Sequence, residues 1–213
     1  MQKKTPIAYA IFMLIFLALA IYNYFYGSQW FYDNVSAMMV ITLAFVLRKR
    51  IEISTFEFSL FGLVWLVHNL GTFGFYNFKH GIIAYDNFVH IVGGIMAAYI
   101  VFSIAARKLH TWKRHKIKRS VVDEHKLLFI FMVVASVILF GITVEITEYV
   151  GFMYFSTGEG MFFPGPGDGY GAEDFKGQYI DTMEDTIMNI FGSCIGVAIF
   201  YFTRYRKRPW LRR

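Results

Sequence analysis

The sequence predicts an all-α membrane protein: one domain over residues 1–213, a bundle of six transmembrane helices with both termini in the cytoplasm. Three observations carry that prediction. Hydrophobic residues make up 56% of the chain and aromatics 20%, with a mean hydropathy of +0.45, which a soluble domain does not show. The apolar residues gather in long runs separated by short polar joints. Finally, 19 of the 21 Lys and Arg residues fall in alternate joints, as the positive-inside rule requires of an even number of spans.

A membrane helix needs about 20 predominantly apolar residues, and six runs qualify: about 6–26, 30–47, 54–75, 86–106, 127–154 and 181–203. The first begins after Lys3 and Lys4 and contains Ala18-Leu19-Ala20, which fits a signal-peptidase pattern. Its apolar character continues past that point, however, and ends in Tyr22, Tyr24, Phe25 and Tyr26, an interfacial aromatic belt. An uncleaved helix is expected. The second run opens with Asp33, a capping residue by position. The third carries Glu57 near its cytoplasmic end, where a solvated carboxylate is expected, and His68 near its outer end. The fourth to sixth carry further polar groups but remain long enough to span.

The joints orient these runs. Lys3 and Lys4, then Arg48 to Arg50, then eight basic residues from Arg107 to Lys126, then six from Arg204 to Arg213, all belong to one side. The other side holds only Lys79 and Lys176. The net charge of +6 is therefore a topological signal, and no nucleic acid is expected as a partner. The basic runs KRHKIKRS and RYRKRPWLRR are also suited to anionic lipid head groups. The exterior loop at 155–180, "STGEGMFFPGPGDGYGAEDFKGQY" in its core, is too rich in Gly and Pro for a regular helix. Its acids Glu159, Asp168, Glu173 and Asp174 lack EF-hand spacing and read as solvated. The single cysteine, Cys194, excludes a disulfide framework and reads as a small packing residue.

Charged groups inside a span are unfavourable by about 2.5–3.5 kcal/mol each on insertion scales, so those present are expected to face one another and to have a function. Asp86 and His90 are four residues apart at the outer start of the fourth run. Glu145 and Glu148 are three apart near the outer end of the fifth, and Asp181, Asp185 and Asn189 recur every four at the outer start of the sixth. Each set shares a helical face. The topology brings these groups and His68 to one level, in the outer third of the membrane.

So many carboxylates close together are partly protonated, paired with cations, or bound to metal. Carboxylates with imidazole suit a divalent ion such as Zn, Mn, Mg or Fe. The expected ligands are His90, Glu145, Glu148, Asp181 and Asp185. Asp86 orients His90 or binds directly, and His68 serves as general acid or base. This composes a metal-dependent enzyme, a hydrolase or transferase, acting on a lipid-linked or cell-envelope substrate from the exterior. The alternatives are a proton- or cation-coupled transporter and a non-catalytic envelope protein with a structural polar network. Gly93-Gly94 and the Gly192-x-x-x-Gly196 motif are expected to serve helix packing.

The same residues carry a resemblance. "VHNLGTFGFYNF" with His68 and Gly71, "YDNFVHIVGG" with Tyr85, Asp86 and His90, "EITEYVG" with Glu145 and Glu148, and "DTMEDTIMNIFGSCIG" with Asp181, Thr182 and Asp185 resemble the YjdF-like family of bacterial inner-membrane proteins, over roughly residues 64–200. That resemblance implies a multi-pass protein of the inner, cytoplasmic membrane and brings no settled reaction. A more distant similarity, to VanZ-like proteins, rests on Asp-x-x-x-His, a Glu-led helix, and Asp-x-x-x-Asp-x-x-x-Asn before glycines, matched here through Asn189 and Gly192. It implies a link to the cell envelope or glycopeptide-antibiotic response. The chain departs from it in having Glu148 where those proteins tend to have Gln. It also has Gln178, Tyr179 and Ile180 where they have an Arg before the first Asp.

Overall fold

A computed structural model describes residues 4–28, 30–80, 83–112, 124–155 and 175–205. Among the described residues six long helices follow one another: α1 (Thr5–Phe25), α2 (Trp30–Leu47), α3 (Thr55–Asn69), α4 (Tyr85–Trp112), α5 (Lys126–Phe155) and α6 (Phe175–Phe200). Five of them, all but α3, are long and apolar enough to cross a membrane. The acids expected to be solvated at 159, 168, 173 and 174, and most of both basic runs, lie outside the described residues.

α3 is shorter than the run from which it was expected. It has 15 residues and gives way to 3₁₀ turns at Leu70–Phe73 and Phe75–Asn77. Gly74 at their junction has φ 79, a left-handed conformation that ends the first of these turns. A two-residue antiparallel pairing, Lys79–His80 with Ile83–Ala84, then turns the chain into α4. At the other limit, α6 begins at Phe175, inside the stretch expected to be loop.

The helices form two halves. In the first, Phe12 and Phe16 of α1, Ala37 and Ile41 of α2, and Phe58 and Trp65 of α3 make one core. In the second, Ala98 and Phe102 of α4, Phe129 and Val133 of α5, and Val197 and Phe200 of α6 make another. α3 packs on α4 and joins them. Large apolar side chains such as Phe25, Leu127 and Phe131 are exposed on the outside, as a bilayer environment requires. Cys194 is exposed as well, and so is not the packing residue expected of it.

Glu57 also departs from expectation. It is 2% exposed and closes a capping box at the start of α3: Ser54 N donates to Glu57 Oε2 at 2.7 Å and Glu57 N donates to Ser54 Oγ at 3.3 Å. Its carboxylate also accepts from Arg107 Nη1 at 2.5 Å, from Arg107 Nη2 at 2.8 Å and from the Ser103 hydroxyl. The acid that looked solvated thus ties α3 to α4. Glu57→Ala is expected to lower stability by about 2–3 kcal/mol. That is less than the about 3–5 kcal/mol of a fully buried pair, because the Arg107 side chain is 21% exposed and regains water. Denaturation in detergent measures this, and adding Arg107→Leu recovers part of the loss if the ion pair is its source.

Three asparagines lock the first half at the opposite end of the bundle. Asn23 of α1 donates to Asn34 of α2 at 2.7 Å, Asn34 donates to Asn69 of α3, and Asn69 donates to Trp65 O at 2.8 Å. All three are essentially buried. Each of the last two has a neighbour in sequence, Asp33 and His68, turned toward a different face.

Candidate metal centre

That other face borders a cavity of about 610 Å³. α2 and α3 line it from the first half, α4 and α5 from the second, with two residues of α6 at one end. Its polar end holds Asp33, His68, Asp86, His90, Glu148, Asp185 and Asn189.

Asp86 and His90, one turn apart on α4, meet Asp185 of α6. His90 Nε2 is 3.4 Å from Asp86 Oδ1 and 3.5 Å from Asp185 Oδ2. These distances exceed the about 2.7–3.2 Å of a good N–H···O bond. They match the edge of a tetrahedron whose vertices lie about 2.1 Å from its centre, roughly 3.4 Å, the arrangement of carboxylate and imidazole around zinc. One ligand atom from each residue lies within 4.8 Å of the others, so the three can hold one metal ion. Asp185 is 2% exposed, and its Oδ1 is buried with no hydrogen-bond partner among the described residues.

The far side of the imidazole is also built. His90 Nδ1 lies 3.1 Å from Asn189 Nδ2 and 3.9 Å from Glu145 Oε1. The amide orientation of Asn189 and the histidine tautomer are linked. As placed, the amide nitrogen donates to Nδ1 and Nε2 carries the ring proton; turning the amide by half a revolution would put the proton on Nδ1 and leave the Nε2 lone pair for a metal.

Glycines make this meeting possible. A Cβ on Gly192 would lie 2.3 Å from Ile91 O, and one on Gly196 would lie 2.3 Å from Ile95 O. Only hydrogen fits there, and the backbones of α4 and α6 touch beside His90 on α4 and two turns from Asp185 on α6. Gly141 of α5 does the same for Asn189, whose Nδ2 lies 2.7 Å from where a Cβ would stand. Gly94, Gly192 and Gly196 serve packing as expected, and that packing sets the site; Gly93 meets only Val64 Cγ1, at 3.9 Å, and lines the cavity instead.

The remaining expected residues are nearby but differ in role. Glu145 is 4% exposed and stands behind His90 rather than beside the two aspartates. Glu148 borders the cavity, and Asp181 sits one turn beyond Asp185 on the same face of α6; neither joins the compact group of three. His68 lies on the opposite wall. Its Nδ1 is 2.8 Å from Tyr76 Oη, and its Nε2 is 3.8 Å from Asp33 Oδ1, with Trp30 against the ring. Asp33 is therefore no simple helix cap: it is 6% exposed and faces a histidine. The signal that could have revealed it is the Asp33-Asn34 pair inside an apolar run, paralleled by His68-Asn69.

The sequence pattern of a family described as a predicted membrane protein, DUF2238, matches residues 6–207, nearly the whole chain. The chain belongs to this family. The YjdF-like resemblance is thereby shown, and it extends to the first two helices, where the residues alone carried little. The match to DUF2238 does not reach to VanZ-like proteins. Neither the curated proteins nor the solved structures hold a match to this DUF2238 chain.

Proposed function

We propose that the protein is a metal-dependent hydrolase or transferase of the cytoplasmic membrane, with its site facing the exterior and its substrate drawn from the lipids or the cell envelope. The observation that carries this reading is the meeting of Asp86, His90 and Asp185, whose ligand atoms lie within 4.8 Å of one another, with both carboxylates 3.4–3.5 Å from His90 Nε2. Three protein ligands with a further position open to a cavity is the pattern of catalytic rather than structural zinc. A divalent ion there would supply Lewis acidity toward a substrate carbonyl oxygen. Glu145 and Asn189 hold the His90 ring in orientation. His68, set between Asp33 and Tyr76 across the cavity, is placed to give or take a proton.

A cation-coupled transporter fits less well. Below the polar end the cavity is lined by residues such as Leu47, Ile53, Val101 and Ile104, which cannot solvate an ion on its way across. The cytoplasmic basic segments are suited to anionic lipids, which would hold the protein at the inner leaflet.

Elemental analysis tests the reading. Protein exposed to Zn, Mn, Mg and Fe(II) in turn and then desalted is expected to keep about one ion per chain, in zinc by preference, and Asp185→Asn to keep less than a tenth of that. Wild-type protein that comes through all four metals empty overturns the proposal.

A further inference from the structure

Below the metal centre the same cavity continues as an apolar shaft. On α4 its lining runs from His90 to Ile104, a length of about 21 Å at 1.5 Å per residue. This exceeds the about 15 Å of one leaflet's hydrocarbon, half of the about 30 Å core. Leu43 of α2 and Phe140 of α5 both border the shaft, and they are 58% and 66% exposed. These two helices belong to different halves, so the shaft opens sideways between them toward lipid. Its polar end gathers Asp33, Asp86, Glu148 and Asp185, and no Lys or Arg is among the described residues lining it.

We infer that the cavity binds a single-chain amphiphile, with one long hydrocarbon tail in the shaft and an uncharged or cationic head at the acidic, histidine-bearing end. Each feature assigns part of the ligand. The length takes one extended tail in full. The lateral slit admits it from the bilayer without passage through water. The carboxylates exclude a free fatty acid or an exposed phosphate, and they accept hydroxyl or ammonium donors. The inference rests on the proposed function for the meaning of the head's position, while the shaft itself is independent of any metal.

Gly93 supplies a plug. It lines the cavity three residues below His90, and a Cβ there would meet only Val64 Cγ1, at 3.9 Å. Gly93→Leu therefore fills the shaft without displacing a helix. Trp30 and Trp65 border the cavity and report on it. The experiment adds 9,10-dibromostearoyl chains, carried on glycerol, as the primary amine or as the free acid, to protein in lipid nanodiscs and follows tryptophan fluorescence. Saturable quenching is expected with the glycerol ester and the amine, at least tenfold tighter than with the free acid. In Gly93→Leu the saturable part is expected to vanish. Quenching that rises linearly without saturation, or that Gly93→Leu leaves unchanged, overturns the tail site. Equal or tighter binding of the free acid overturns the head assignment. Zinc content measured on the same samples separates the two readings: zinc retained without saturable quenching sinks only the amphiphile, and quenching without zinc sinks only the metal.

Discussion

His90→Ala is expected to abolish zinc binding and the stabilisation that accompanies it. At zinc one hundred times above its dissociation constant, a folded-state site contributes about 2.7 kcal/mol. That corresponds to a rise in melting temperature of roughly 5–10 °C for a chain of this size. His90 is the hub of the triangle, since both aspartate contacts run to its Nε2, so its loss leaves two carboxylates and no nitrogen. Asn189→Leu removes only the group behind the ring and is expected to weaken zinc by about 10–100-fold. His68→Ala, on the opposite wall, is expected to keep full affinity. A zinc-dependent melting curve for each variant checks the series. If His90→Ala melts with the same zinc response as wild type, the ion binds elsewhere. If His68→Ala loses the response, the two walls share one metal and the assignment of ligands is wrong.

Gly192→Ala is expected to damage the same site without touching a ligand. The new Cβ meets the backbone of α4, at 2.3 Å from Ile91 O and 3.1 Å from Gly94 Cα. No side-chain rotation relieves a clash between two main chains, so the helices must part. Overpacking of this kind destabilises by about 1–3 kcal/mol. Because Asp185 lies two turns from Gly192 on α6, the displacement opens the triangle, and zinc affinity is expected to fall at least tenfold. Gly93→Ala is the control: its neighbour on the first half is at ordinary van der Waals distance, and stability within about 0.5 kcal/mol of wild type is expected. Zinc titration of the two variants separates a general intolerance of alanine from the close approach at Gly192. Unchanged affinity in Gly192→Ala would show that the ligand geometry does not depend on that contact.

The membrane fold was legible because its signals are additive along the chain. Twenty apolar residues in a row speak for a span whatever surrounds them, and five of the six expected runs form helices long and apolar enough to cross a membrane. α3 shows the limit of such counting. The run over 54–75 is apolar to its end, but the α-helix gives way at Asn69 to 3₁₀ turns on either side of Gly74, and hydropathy does not register backbone conformation. The level of the site was legible too, since helix direction and residue number place Asp86, Glu145 and Asp185 at the same end of the bundle.

Sequence alone determined that acids and imidazoles would be gathered at one end of the helix bundle, because height along the bundle follows from position along a helix of known rise. It could not rank them. Which acids stand against Nε2 and which stand behind the ring depends on how far each helix is rotated and how near it comes. Only tertiary packing decided that: glycine-to-backbone contact brings Asp185 to His90 and leaves Glu148 and Asp181 aside. The same packing buried Glu57 against an arginine fifty residues away and turned Asp33 toward a histidine. Those partners lie on other helices, and a side chain's role in a bundle is set by what it faces across the gap.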